Sequence, residues 1–161
     1  MINRFCHLLD YRELIENLVI RDLKVRYKNS ALGFFWSLLN PLLLMVVFTI
    51  VFTVMLPNFH VPHFPVFVLC GLLPWNFFST SVVSALNSIS SNGHLIKKVY
   101  FPREILTISS VLSNFVNFIL ALPILILFLF IFNISITVWI LYLPLILVVQ
   151  VFFTCGISLL L

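Results

Sequence analysis

Charge is what this chain lacks. From Asn29 to Ile96 there is no Asp, Glu, Lys or Arg, and from Ile105 to Leu161 there is again none. Charged residues make up 9% of the 161 residues and hydrophobic ones 62%, whereas a soluble domain carries about 25% charged residues. A soluble globular core is therefore excluded. A charge at the centre of a bilayer costs roughly 2.5 to 3.5 kcal/mol even on the lenient insertion scale, so long uncharged runs are what lipid selects for. Cysteine is scarce and odd in number: Cys6, Cys70 and Cys155. Two of them lie in apolar runs as small apolar residues, so neither a disulfide nor a thiolate metal site is expected. The four glycines never form G-x-x-x-x-G-K-[ST], and without that phosphate cradle any ATP must be bound by another chain. No acidic or basic residue within the apolar runs offers a proton or ion relay, which argues against a self-contained proton- or sodium-coupled carrier. HExxH, GxSxG and paired-carboxylate patterns are missing as well.

The sequence does contain four apolar segments long enough to cross a bilayer, each needing about 20 residues. They run over 34–56, 64–90, 105–132 and 138–161. Pro57, Asn58, Pro62 and Pro65 interrupt the first pair, Asn92, Gly93 and a charged run separate the second and third, and Asn133 to Thr137 makes the last turn. An all-α polytopic membrane bundle is predicted. The net charge of +4 is concentrated in Arg21, Lys24, Arg26 and Lys28 before the first span and Lys97, Lys98 and Arg103 after the second. Two cationic clusters separated by two spans both face the cytoplasm, and they read as orientation signals, not as a nucleic-acid footprint. Acidic and basic residues from Asp10 to Asp22 interrupt any cleavable leader, so the N-terminus is expected in the cytosol.

Residues 10–28 have helical periodicity. Tyr11, Leu14, Ile15, Leu18 and Val25 fall on one side, and Glu13, Asn17, Arg21, Lys24 and Lys28 on the other. Such a helix is expected to lie in the membrane plane with its apolar face in the cytoplasmic leaflet. The loop SNGHLIKKVYFPRE at 91–104 is cationic and aromatic, and Pro102 is placed to begin the next helix. Tyr100 and Phe101 suit a protein pocket rimmed by Lys97, Lys98 and Arg103, yet the same residues equally suit lipid headgroups. Glu104 reads as a favourable charge at a helix N-terminus.

In the second span Gly71 and Pro74 are expected to loosen the helix next to Trp75, Phe77 and Phe78. Two polar stripes follow: Thr80, Ser84, Asn87, Ser88 and Ser91 on the second span, and Ser110, Ser113, Asn114 and Asn117 on the third. Stripes of this kind pack helices together or line a path. As a path, the candidates are Trp75, Phe78, Ser84, Asn87, Ser113 and Asn117. His60 and His63 are separated by Pro62 and lack a carboxylate or thiol companion, so no metal site is expected.

RDLKVRYKNSALGFFWSLLNP from Arg21, GLLPWNFF from Gly71 and NGHLIKKVYFPREIL from Asn92 together resemble the permease subunits of ABC-2 type polysaccharide exporters. These are the membrane parts of systems exporting lipid-linked O-antigen, capsule or teichoic acid. The resemblance implies a location in the cytoplasmic membrane of a prokaryote, and it implies that 10–28 and a coupling loop near 92–101 touch a separate ATPase. Arg21, Lys24, Lys28, His94, Lys97, Lys98, Tyr100, Phe101 and Arg103 would form that contact. It also implies a second copy of the permease, a lipid-linked polysaccharide between the copies, and ATP with Mg on the partner only. Family permeases have six spans while this sequence stops in the fourth, so a truncated chain is expected. A membrane enzyme acting on lipid-linked sugar, with only Asp22, His94 and Glu104 as candidate acids or bases, and a non-catalytic scaffold are the competing classes.

Overall fold

The computed structural model describes residues 11–27, 31–55, 61–91, 102, 104–134 and 138–161. Its elements are α1 (Arg12–Tyr27), α2 (Ala31–Met55), α3 (Phe64–Ser91), α4 (Glu104–Ile131), a 3-10 helix (Val138–Tyr142) and α5 (Leu143–Leu160). The described residues contain no strand. α3, α4 and α5 are each long and apolar enough to cross a membrane. In α2, the stretch Leu39–Met55 is a shorter apolar helix, continuous with the turns before it.

Local chemistry sets the boundaries. α1 carries Glu13 in its first turn and Lys24 and Arg26 in its last, each sign opposing the helix dipole. Before α3, His63 adopts φ 54 and its carbonyl accepts the amides of Val66 and Phe67 at 3.0 and 3.3 Å. α4 opens behind Pro102, whose carbonyl takes the Ile105 amide at 3.1 Å. Its far end is closed by Asn133 at φ 49: Ile134 N–H reaches the Leu129 carbonyl at 3.0 Å, and Asn133 N–H the Phe130 carbonyl at 3.1 Å. This is a Schellman closure with asparagine in the left-handed seat.

The fourth predicted span differs in its start. A continuous helix from 138 is replaced by the 3-10 turn Val138–Tyr142, and α5 begins with Pro144 in its first turn. Proline has no amide hydrogen to give a preceding turn, so the α-helix starts there instead of running through. α3, by contrast, continues through Gly71 and Pro74 as one helix.

α4 is the hub of the bundle, packing on α1, α3 and α5, while α3 also holds α2 and α5. The main core joins Met45 of α2, Leu69, Leu73 and Phe77 of α3, and Val111, Phe118 and Ala121 of α4, with Leu147 and Val151 of α5 packed against them. Phe77 stacks on Phe118 at 5.3 Å between ring centres and meets Phe115 edge-on at 5.8 Å, an arrangement aromatic quadrupoles favour. Several hydroxyls in the spans are satisfied by their own helices: Thr49, Thr80 and Thr154 each donate to the carbonyl four residues back. That is the available solution where water is absent.

Candidate functional site

The face of α1 expected to sit in lipid packs on protein. Leu18, Ile105 and Leu106 form a second buried cluster, with Tyr11, Leu14 and Ile15 against it. The start of α4 thus offers α1 an apolar seat, and protein contact takes the place of acyl chains. Val25, grouped with that face in the sequence, is exposed instead. Of the expected ATPase contacts, Arg21 and Lys24 are exposed on α1. Arg21 is also held to Asp22 by an ion pair at 3.0 Å. Lys28, His94, Lys97, Lys98, Tyr100, Phe101 and Arg103 lie outside the described residues, as does His60.

The six path candidates separate into three places. Ser84 and Asn87 of α3 and Ser113 of α4 line one cavity of about 540 Å³, together with Ser88, Ser110 and Asn114. Arg21, Asp22, Val25 and Arg26 of α1 also line it. Asn117 lines a second cavity of about 170 Å³, with Asn40, Asn76 and Thr80 among its walls. Trp75 and Phe78 line neither cavity: their rings touch at 6.0 Å, and Phe78 stacks on Phe153 of α5 at 5.8 Å. The two polar stripes therefore face each other across the α3–α4 seam, and they both pack helices and line a space.

Arg26 and Asn114 line both cavities. The Nη1 and Nη2 groups of Arg26 each donate to Asn114 Oδ1 at 3.1 Å. Asn114 Nδ2 in turn donates to the Ser110 carbonyl at 2.9 Å, which fixes the amide orientation. Beside this pair the Tyr27 hydroxyl donates to Asn117 Oδ1. Burial pushes the Tyr27 phenol above its ordinary range, with the nearby Arg26 charge opposing that shift, so the hydroxyl keeps its proton. α1 is therefore tied to α4 by an apolar cluster at one end and two polar contacts at the other.

Sequence reasoning named Asn114 and Asn117 as a stripe but did not give them partners on α1, about 90 residues away. Arg26 was counted only as one of a run of cations. The one signal available was its place on α1, eleven residues beyond Ile15 and so near the face that packs on α4. Gln150, the sole glutamine of the chain, was also missed; its Nε2 donates to the Pro74 carbonyl at 2.9 Å, joining α5 to α3. Among the described residues no group of three His, Cys, Asp or Glu comes together.

A family model described as ABC-2 type transporter matches residues 13–161. The O-antigen export system permease protein RfbA of Myxococcus xanthus is 39% identical over 161 residues, covering 100% of this chain and 62% of the relative. The protein of the same name from Klebsiella pneumoniae is 36% identical over 155 residues, 96% of this chain and 58% of its own length. Polysialic acid transport protein KpsM of Escherichia coli is 30% identical over 82 residues, 48% of this chain and 31% of that protein. The chain thus spans about three-fifths of the length of the first two. With the family matched from α1 to the end of α5, on a helical membrane architecture, the chain belongs to the ABC-2 type transporter family.

Proposed function

We propose that this chain is the membrane permease part of an ATP-driven exporter of lipid-linked polysaccharide in the cytoplasmic membrane of a prokaryote. The observation that carries the reading is the alignment of the whole chain, at 39% identity, with a protein named as an O-antigen export permease. ATP and Mg belong to a separate ATPase subunit, two permease copies flank the cargo, and this chain performs no chemistry of its own. Asp22, one of the few acids available for an enzyme reading, is already engaged by Arg21.

In this reading the ATPase contacts Arg21, Lys24 and Lys28 together with the loop bearing His94, Lys97, Lys98, Tyr100, Phe101 and Arg103. Motion delivered to α1 passes directly to α4, because Leu18 and Arg26 hold the two helices together. Ser84, Asn87, Ser113 and Asn117 are the candidates for the polar path. Co-purification of the tagged protein from native membranes in mild detergent tests the assignment. A nucleotide-binding subunit is expected to accompany it and to be lost in a Tyr100→Ala, Phe101→Ala variant that still inserts normally. A partner retained by that variant would overturn the docking role, and no ATPase with the unaltered protein would overturn the exporter reading.

A further inference from the structure

Three features of the contact between α3 and α5 each recur one turn away. The Gln150 amide of α5 donates to the Pro74 carbonyl at 2.9 Å. Proline has no amide hydrogen, so residue 74 gives nothing to the Cys70 carbonyl four positions earlier, although α3 runs on through both. That second acceptor lies about 6 Å nearer the start of α3 and only about 40° further round the helix. Along the same contact, Phe153 stacks on Phe78 at 5.8 Å. Trp75, three positions nearer the start of α3, touches Phe78 at 6.0 Å and is 64% exposed. On the buried side of α5, Leu147, Val151 and Cys155 pack on the main core at a spacing of four residues.

The second seats all lie in one direction. α3 and α5 run parallel, since Pro74 and then Phe78 meet Gln150 and then Phe153. A slide of α5 by one turn toward the start of α3 passes Gln150 from the Pro74 carbonyl to that of Cys70 and Phe153 from Phe78 to Trp75, while Val151 and Cys155 enter the places that Leu147 and Val151 leave. Each contact is exchanged for one of its own kind, and positions between the two offer none of them. Lipid opposes the slide little, because Val149, Phe152 and Phe153 are exposed and acyl chains serve them equally at either level. We propose that α3 and α5 form a two-position catch, with the Gln150 amide on the Pro74 carbonyl in this structure and on the Cys70 carbonyl one turn away, a ratchet of one packed helix past another. Leu73, Asn76, Phe77 and Thr80 of the same stretch of α3 line the cavity of about 170 Å³, so the register of α5 sets how that wall is braced. The catch rests on these two helices and stands whether or not the exporter reading does.

The test is a pulsed electron–electron double resonance distance between spin labels on Leu86→Cys, near the end of α3, and Leu145→Cys, near the start of α5, in the full protein in lipid nanodiscs. Both positions are exposed. Cys6, Cys70 and Cys155 are changed to alanine throughout, which leaves the backbone carbonyl of residue 70 in place. Two distances are expected, the second longer by about 5 Å, one helical turn. Phe78→Leu removes the first aromatic seat and should raise the longer population about 2- to 10-fold. Pro74→Ala restores an amide that occupies the residue 70 carbonyl and should lower that population by a similar factor. Alanine favours the helix, and Trp75→Leu, which removes the second aromatic seat, is expected to lower the same population independently. A single distance in both the unaltered protein and Phe78→Leu, a second distance shorter than the first, or a longer population undiminished in Pro74→Ala and Trp75→Leu would overturn the catch.

Discussion

Leu106→Ala distinguishes an α1 held by protein from one held by lipid. Leu106 is 1% exposed and belongs to α4, yet part of its buried surface is shared with Leu18, Leu14 and Ile15 of α1. Truncating a buried leucine costs about 2 to 5 kcal/mol, the transfer of the lost methyl groups plus the cavity they leave. Only some of Leu106's contacts are with α1, so about 1 to 2 kcal/mol should fall on the α1–α4 seat. At 1.4 kcal/mol per factor of ten, amide exchange of 12–27 should accelerate about 5- to 30-fold in the variant, measured by hydrogen–deuterium exchange in lipid nanodiscs. The mutated side chain is not on α1, so an α1 held by acyl chains would be indifferent to it. Unchanged exchange of α1, with the variant otherwise folded, would refute protein seating.

The polar end of the same junction should be coupled: in a double-mutant cycle, Arg26→Met and Asn114→Leu are expected to show about 0.5 to 3 kcal/mol of interaction in thermal unfolding, and additive effects would mean the 3.1 Å contacts carry nothing. Gln150→Leu removes one neutral hydrogen bond to the Pro74 carbonyl and should lower stability by about 1 kcal/mol or less, because the carbonyl it leaves can still serve its own helix. The Tyr27 phenol is raised in the fold, so the folded state holds its proton more tightly; the stability this gives is complete below the ordinary phenol range near 10 and is lost as pH rises through the raised value. Thermal scans at increasing alkaline pH should show that loss in the unaltered protein and its absence in Tyr27→Phe.

Three of the four predicted spans, 64–90, 105–132 and 138–161, hold helices long and apolar enough to cross a membrane, because lipid imposes one dominant rule, an uncharged run of about 20 residues. Pro144 was legible as a residue but not as a boundary, because it sits inside an unbroken apolar run where hydropathy is blind to a missing amide hydrogen. Stripes could be read from spacing alone, and both lie on the α3–α4 seam. What spacing cannot supply is the partner across a long sequence separation. Nothing about Asn114 says that its oxygen meets Arg26, 88 positions earlier. Trp75 and Phe78 were grouped as path candidates from their place beside Pro74, and spacing likewise gave no sign that Phe78 stacks on Phe153 of α5.

The distribution of buried residues explains why a chain so poor in charge needs these few polar contacts. Ten side chains of α4 are buried, including Thr107, Ser109, Ser110, Ser113 and Asn114, while α5 buries only Thr154 and Ser158. Apolar side chains such as Val149, Phe152 and Phe153 of α5 are left outside. In a bilayer that costs little, because lipid tails are as apolar as the core, and apolar burial gives weak preference for one helix arrangement over another. Small and polar residues at the seams supply the preference. The Arg26–Asn114 pair, the Tyr27 contact and the Gln150–Pro74 bond each join a different pair of elements from the neighbours their sequence spacing provides. Replacing all three by apolar residues of similar volume should therefore leave membrane insertion intact while cysteine pairs between α1 and α4 cross-link less selectively.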